Sequence, residues 1–189
     1  MTHATLKGRS IFDAWKNFEK ISIGASLDAE GSRGEYLRTG TVWSDVVAFR
    51  QEMIRLRPDI DFYVSCTTSL VNALHVPDFH RSWVEKGLIE PYQFGIQTLH
   101  DPAWMNVETA PLYLKDQIRE KYSKHLEWLR SIDTEGRATF GFESILEQIN
   151  RDREFDPQKF WNKILPLDKY YNANLLDSFP ELVDLPRLS

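Results

Sequence analysis

Three short stretches of the chain, roughly 20–26, 60–67 and 92–98, alternate apolar and polar residues with a period of two. A period of two is that of an extended chain, so each predicts a β-strand. In the first, Ile21, Ile23 and Ala25 share one face, while Ser22, Gly24 and Ser26 share the other. In the second, Ile60, Phe62, Val64 and Cys66 oppose Asp61, Tyr63, Ser65 and Thr67; in the third, Tyr92, Phe94 and Ile96 oppose Gln93, Gly95 and Gln97. Between the first two strands Val42, Val46, Phe49, Met53 and Leu56 recur at steps of four and three, which is one face of a helix. Thr41 is its expected N-cap and Pro58 its stop. Between the second and third strands Pro77 opens a shorter helix with Phe79 and Trp83 on one face, and Gly87 suits the position just past its end. Strands alternating with helices predict parallel pairing through right-handed crossovers.

Beyond the third strand the period is helical. Leu114, Ile118, Tyr122, His125 and Leu129 mark a long amphipathic helix after Pro111, and a shorter one covers about 143–150. A third has Asp156 as cap and Pro157 at its first position, then carries Phe160, Trp161, Ile164 and Leu167. The last residues, Phe179 to Pro186, read as an extended tail. The pattern predicts an α/β fold with three parallel strands over residues 1–110 and a helical extension over 111–189 packed on it.

The strand faces refine this picture. A parallel strand covered by helices on both sides is apolar on both. Here one face suits packing against helices and the other is small and polar, as on the inner wall of a barrel that holds a ligand. A sheet with one solvated face is the alternative.

Composition narrows the function classes. A length of 189 residues fits a single domain with a core of ordinary size. Net charge is −5, with Lys and Arg dispersed among Asp and Glu, so nucleic-acid binding has no electrostatic support. No stretch approaches the roughly 20 apolar residues of a membrane-spanning helix, and the N-terminus shows no apolar signal region, so a cytoplasmic address is expected. One cysteine, Cys66, leaves no intrachain disulfide and no multi-cysteine metal site made by this chain alone. It lies on the apolar face of its strand, the place of a buried, inert thiol. His75, His80, His100 and His125 have no metal-ligand spacing, and the mixed charges from Lys115 to Lys124 read as a solvent-facing helix side.

The candidate chemistry lies in Ser26-Leu-Asp28, after the first strand, and in Gly31-Ser-Arg-Gly-Glu-Tyr36-Leu-Arg38 just beyond it. Ser26, Asp28 and Arg38 sit where parallel β/α folds place ligand-binding groups, and Asn72 and Gln97 fall near the ends of the next two strands. Asp28 and Ser26 are also ordinary turn residues, and Arg38 an ordinary surface or ion-paired one.

These residues, with Thr67-Thr-Ser-Leu-Val-Asn72, His100-Asp-Pro102 and Asn174-Leu-Leu-Asp177-Ser-Phe-Pro180, resemble radical SAM enzymes of the twitch class. The resemblance covers most of the chain, as the C-terminal half of that fold. It implies a partial (β/α)6 barrel in which a C-x-x-x-C-x-x-C loop holds a [4Fe–4S] cluster and S-adenosylmethionine binds the fourth iron, giving a 5′-deoxyadenosyl radical. The three strands would be the fourth to sixth of that barrel, making residues 1–110 half of a β/α barrel. Ser26 and Arg38 would then hold the methionyl carboxylate, Asp28 would order the loop or meet a polar ligand group, and Asn72 and Gln97 would line the pocket. The cysteine motif is missing, so the resemblance implies a half-barrel with no catalytic or metal-ligating residue of its own. The cluster ligands would come from an N-terminal half or a separate chain. Two other readings stay open: a non-catalytic module that pairs its open sheet edge with a partner, and an unrelated small α/β enzyme.

Overall fold

The computed structural model describes residues 5–6, 9–151 and 153–187. A short antiparallel pair, β1 (Thr5–Leu6) and β2 (Arg9–Ser10), precedes helix α1 (Ile11–Trp15). Then follow β3 (Ser22–Ser26), α2 (Gly31–Leu37), α3 (Trp43–Leu56), β4 (Asp61–Thr68), α4 (Val76–Glu85) and β5 (Phe94–Thr98). Two 3-10 turns over 103–105 and 107–109 lead to α5 (Leu112–Ile132), α6 (Thr139–Ile149), α7 (Pro157–Tyr171), α8 (Leu175–Ser178) and a last 3-10 turn, Pro180–Leu182.

β3, β4 and β5 form a three-stranded parallel sheet in that order. The chain steps from each strand to its immediate neighbour, so both right-handed crossovers fall on the same side of the sheet. Packing shows which side. Arg50 of α3 lies 4.0 Å over the Phe62 ring, and Phe79 of α4 meets Phe94 edge-on at 5.2 Å. Trp43 of α3 meets both Phe79 and Trp83 of α4, and Phe142 of α6 closes on the same Phe94. The row Ala25–Val64–Phe94 and its neighbours Ile23–Phe62 and Cys66–Ile96 therefore face the helices. Val64 and Cys66 are fully buried there.

The opposite face is bare. Its rows are Ser22–Asp61, Gly24–Tyr63, Ser26–Ser65–Gly95 and Thr67–Gln97. Ser22, Gly24, Ser26, Asp61, Tyr63, Gly95 and Gln97 are exposed, and Ser65 and Thr67 half-buried. β4 is paired on both sides, whereas the described residues pair β3 with β4 alone. The asymmetry expected from the alternation is thus present, and no described helix covers the polar face.

The helical expectations hold with instructive departures. Pro77 starts α4, Phe79 and Trp83 are fully buried, and Gly87 takes the left-handed conformation just past the end. Asp156 caps α7 by accepting the Lys159 N–H at 2.8 Å. α3, however, is not capped by Thr41. Its first N–H, that of Trp43, donates instead to Glu35 Oε1 at 2.7 Å, a carboxylate supplied by α2. Leu56, expected on the buried stripe of α3, is exposed, while Arg50 is buried and donates from Nε to the Leu88 carbonyl at 2.8 Å. Lys115 departs from the expected solvent-facing side: it is buried and its Nζ donates to the Arg151 carbonyl at 2.8 Å. The expected extended tail contains a 3-10 turn, and α8 before it has Asn174 as its cap. Among the described residues no helix is long and apolar enough to cross a membrane.

Candidate functional site

The site grows from the carboxyl ends of β3 and β4. After Ser26 the chain turns inward. The Leu27 N–H donates to the Ser65 carbonyl at 3.2 Å, and Leu27 and Ala29 are buried. Asp28, between them, reaches sideways. Its Oδ1 accepts the Thr67 N–H at 2.8 Å and its Oδ2 pairs with Arg38 Nη2 at 2.8 Å. An aspartate in this position acts as a clip between the loop after β3 and the end of β4.

Asn72 completes the clip. It is buried, and its Nδ2 donates to the Asp28 carbonyl at 2.7 Å and to the Thr67 carbonyl at 2.9 Å. Its Oδ1 accepts from the Ser69 N–H at 2.7 Å and from Ser69 Oγ at 3.1 Å. Both donors and both acceptor positions of the amide are thereby engaged by the chain itself. The geometry makes Asn72 a loop staple, with no hydrogen-bonding position left for the ligand role that the resemblance implies.

One residue further, the Glu30 N–H donates to His75 Nε2 at 3.2 Å, so His75 is neutral with its proton on Nδ1. Burial, and then the nearby Arg33 guanidinium, push its pKa down to about 4. Glu30 Oε2 accepts from Ser82 Oγ at 3.0 Å and faces Lys86 Nζ at 3.4 Å. Four side chains therefore tie the segment after β3 to the segment after β4, and the start of α2 is fixed before any ligand arrives.

The five candidate residues separate into two groups. Asp28 and Asn72 are committed to the fold. Ser26 and Gln97 are exposed at strand ends on the bare face, and neither side chain has a hydrogen bond within the described residues. Arg38 is divided: Nη2 is held by Asp28, while Nε is buried and unpartnered. Asp28 thus occupies part of the guanidinium that would otherwise meet a ligand carboxylate. Tyr63, absent from the candidates, also belongs to this face. It is exposed, and a Cβ built on Gly24 would lie 2.7 Å from its ring end, so the ring rests on β3 only because position 24 is glycine. The Gly24–Tyr63 register is the signal that would have found it, and register is not written in either strand alone.

Cys66 has the wrong environment for a cluster ligand. It is fully buried on the helix side, and burial pushes its thiol well up from the ordinary value, away from the thiolate a metal requires. No group of three or more His, Cys, Asp or Glu suited to a metal ion occurs among the described residues. Two histidines without ligand spacing do meet. His80 Nε2–H donates to the Pro91 carbonyl at 2.9 Å, so its Nδ1 accepts from His125 Nε2–H at 2.9 Å. The pair is buried among Phe94, Trp128 and Phe142. Both positions lie on core-facing helix sides, but their 45-residue separation hides the contact from the sequence.

Comparison of the chain with protein-family models, with curated proteins and with solved structures gives no match.

Proposed function

We propose that this chain forms the wall of a radical SAM-like barrel that does not carry the cluster ligands, and that the thiolate-bearing wall comes from other sequence, covalently joined or separate. The observation that carries the reading is the bare face: a parallel sheet with both crossovers on one side and a small, polar surface on the other. Parallel sheets are ordinarily buried on both faces, so a partner layer is needed. The edge of β3, unpaired among the described residues, is where a further strand would join and continue the sheet.

The residues present do not fit an iron–sulfur cluster, because Cys66 is single and buried. They fit part of a nucleoside–amino-acid cofactor. Ser26 Oγ and the Gln97 amide, exposed on the bare face and without a partner among the described residues, are donors for it, and the part-exposed Arg38 guanidinium adds what Asp28 leaves free, its Nε being buried. The chemistry that bound S-adenosylmethionine supplies in this family is the 5′-deoxyadenosyl radical. The chain's own residues bind and orient. Asp28 holds the Arg38 fork in place, and Asn72 holds Asp28.

The test is anaerobic reconstitution with iron and sulfide, with and without a co-expressed polypeptide carrying C-x-x-x-C-x-x-C from the adjoining coding sequence. The chain alone is expected to gain no cluster absorption. The complex is expected to gain it and to release 5′-deoxyadenosine, and Ser26→Ala or Arg38→Lys should weaken S-adenosylmethionine binding by about tenfold, the loss of one hydrogen bond to a charged group. Cluster assembly on the chain alone would refute the proposal, as would a chain that ignores every thiolate-bearing partner. The free β3 edge also supports a second reading, a non-catalytic module that accepts a partner strand; a stable complex with no cluster and no cleavage would select it.

A further inference from the structure

A second feature stands apart from the bare sheet face. Between α2, the turn at Met105 and the α7–α8 corner lies a cavity of about 650 Å³. That is within the range of small-molecule sites. Its walls are of two kinds. Leu37, Met105, Ile164 and Leu167 give an apolar surface, with Tyr36 and Tyr171 as aromatic sides. Glu35, Asp168 and Asp177 place three carboxylates on the same walls, and among the described residues no Lys, Arg or His lines it. None of the three makes a salt bridge among the described residues.

Asp168 is held from two sides. Its Oδ1 accepts from Tyr36 O–H at 2.8 Å and its Oδ2 from the Leu175 N–H at 3.0 Å. Glu35 is held by its bond to the Trp43 N–H. Asp177 has no hydrogen bond or ion pair with any described residue. Leu167 and Tyr171 are each about half exposed, 48% and 49%, although α7 buries Phe160, Trp161 and Ile164 beside them. An apolar recess whose wall charges are uniformly negative and uncompensated selects its occupant. A neutral ligand leaves Asp177 without a partner, and an anion is repelled by all three carboxylates. A cation with an apolar body satisfies both surfaces, the ammonium near Asp177 and the body against Leu167 and the tyrosine rings.

We propose that this cavity binds a small amphipathic organic amine. The inference does not depend on the barrel reading: the cavity uses neither Ser26, Gln97 nor the bare face.

The test uses the full chain and three probes, each titrated by calorimetry and by ligand-observed NMR. Tryptamine carries the ammonium and an apolar ring. Indole-3-propionate keeps the ring and reverses the charge. Methylamine keeps the charge without the body. Tryptamine is expected to bind saturably at one site, and the other two to bind at least tenfold more weakly. Asp177→Asn should weaken tryptamine about tenfold, the loss of one charged hydrogen bond. Leu167→Lys, which places a cation in the recess from a half-exposed position, should abolish binding. Both variants change exposed side chains, and an unaltered urea midpoint shows that the fold is kept. Equal binding of tryptamine and indole-3-propionate would overturn the proposal, as would absence of tryptamine binding or binding untouched by both substitutions.

Discussion

Asn72 is the residue on which the geometry after β3 converges. A net contribution of roughly 1 kcal/mol per hydrogen bond understates it, because truncation leaves the carbonyls of Asp28 and Thr67 without their donor in a buried place. Asn72→Ala is therefore expected to cost about 2–4 kcal/mol in a urea unfolding experiment. Gln97→Ala, at an exposed side chain with no partner among the described residues, should stay within about 0.5 kcal/mol of the parent. A loss below 1 kcal/mol at Asn72 would show that the loop is held by something else. The sequence pointed to both residues equally, since each falls near a strand end. What separates them is contact over distance: Asn72 bonds to a carbonyl 44 residues away, and no local pattern encodes that. Asp28 and Arg38 were legible as a pair of interest because they are close in sequence. That Asp28 takes part of the guanidinium for itself is a property of the folded loop.

At the scale of elements, periodicity found the three parallel strands and the longer helices that turn one side to the core, but not α1 or α2, and it placed the start of α6 at about 143 where the helix begins at Thr139. β3 and β5 lie within the stretches read from alternation, β4 runs one residue past its own to Thr68, and α5 buries Leu114, Ile118, Tyr122, His125 and Leu129 as its spacing requires. The failures are at ends and at polar residues that packing draws inside. The cap of α3 comes from Glu35, on the preceding helix, so the local signal at Thr41 misled. Arg50 and Lys115 are buried because carbonyls of Leu88 and Arg151 receive them. The close approach of α2 to its neighbours is the most demanding local constraint. A Cβ at Gly34 would lie 2.6 Å from the Ala29 carbonyl oxygen and 3.1 Å from the Trp43 ring. Alanine gains about 1 kcal/mol over glycine as a helix former. Here the obstacle is backbone and a half-buried indole, so overpacking outweighs that gain. Gly34→Ala is expected to lose about 1–3 kcal/mol net and to perturb the Trp43 fluorescence. A stabilised variant would mean that α2 can move away, and with it Tyr36 and Arg38.

For the molecule as a whole, winding the chain to one side of the sheet concentrates the core there, and three histidines are buried in that layer in neutral form. His75 accepts from the Glu30 N–H and so cannot take a proton on Nε2 without breaking that bond. His80 can be protonated only on Nδ1, against the His125 N–H. Burial is the first cause that lowers all three; the Arg33 charge acts next on His75, and His80 with Arg81 and Lys121 on His125. They reach about 4 for His75 and His80 and about 3 for His125. The unfolded chain takes up these protons near pH 6.5 and the folded chain does not. Stability is then fully present above about pH 6.5 and falls as pH drops toward about 4, with each histidine costing up to about 1.4 kcal/mol per pH unit. At pH 5 each contributes a loss on the order of 2 kcal/mol, a large share of a typical domain's stability. The lowered carboxylates, such as Glu52, Asp59 and Glu120, titrate below this window and are exposed, so they do not account for a loss between pH 6.5 and 5. The urea midpoint measured from pH 7.5 to 5 should fall steeply. His125→Gln retains an amide donor for His80 Nδ1 and removes one titrating group, and it should flatten the slope by about one proton. A midpoint constant over that range would mean that the histidines are protonated in the folded state, and that the His80–His125 contact is not the neutral hydrogen bond its geometry requires.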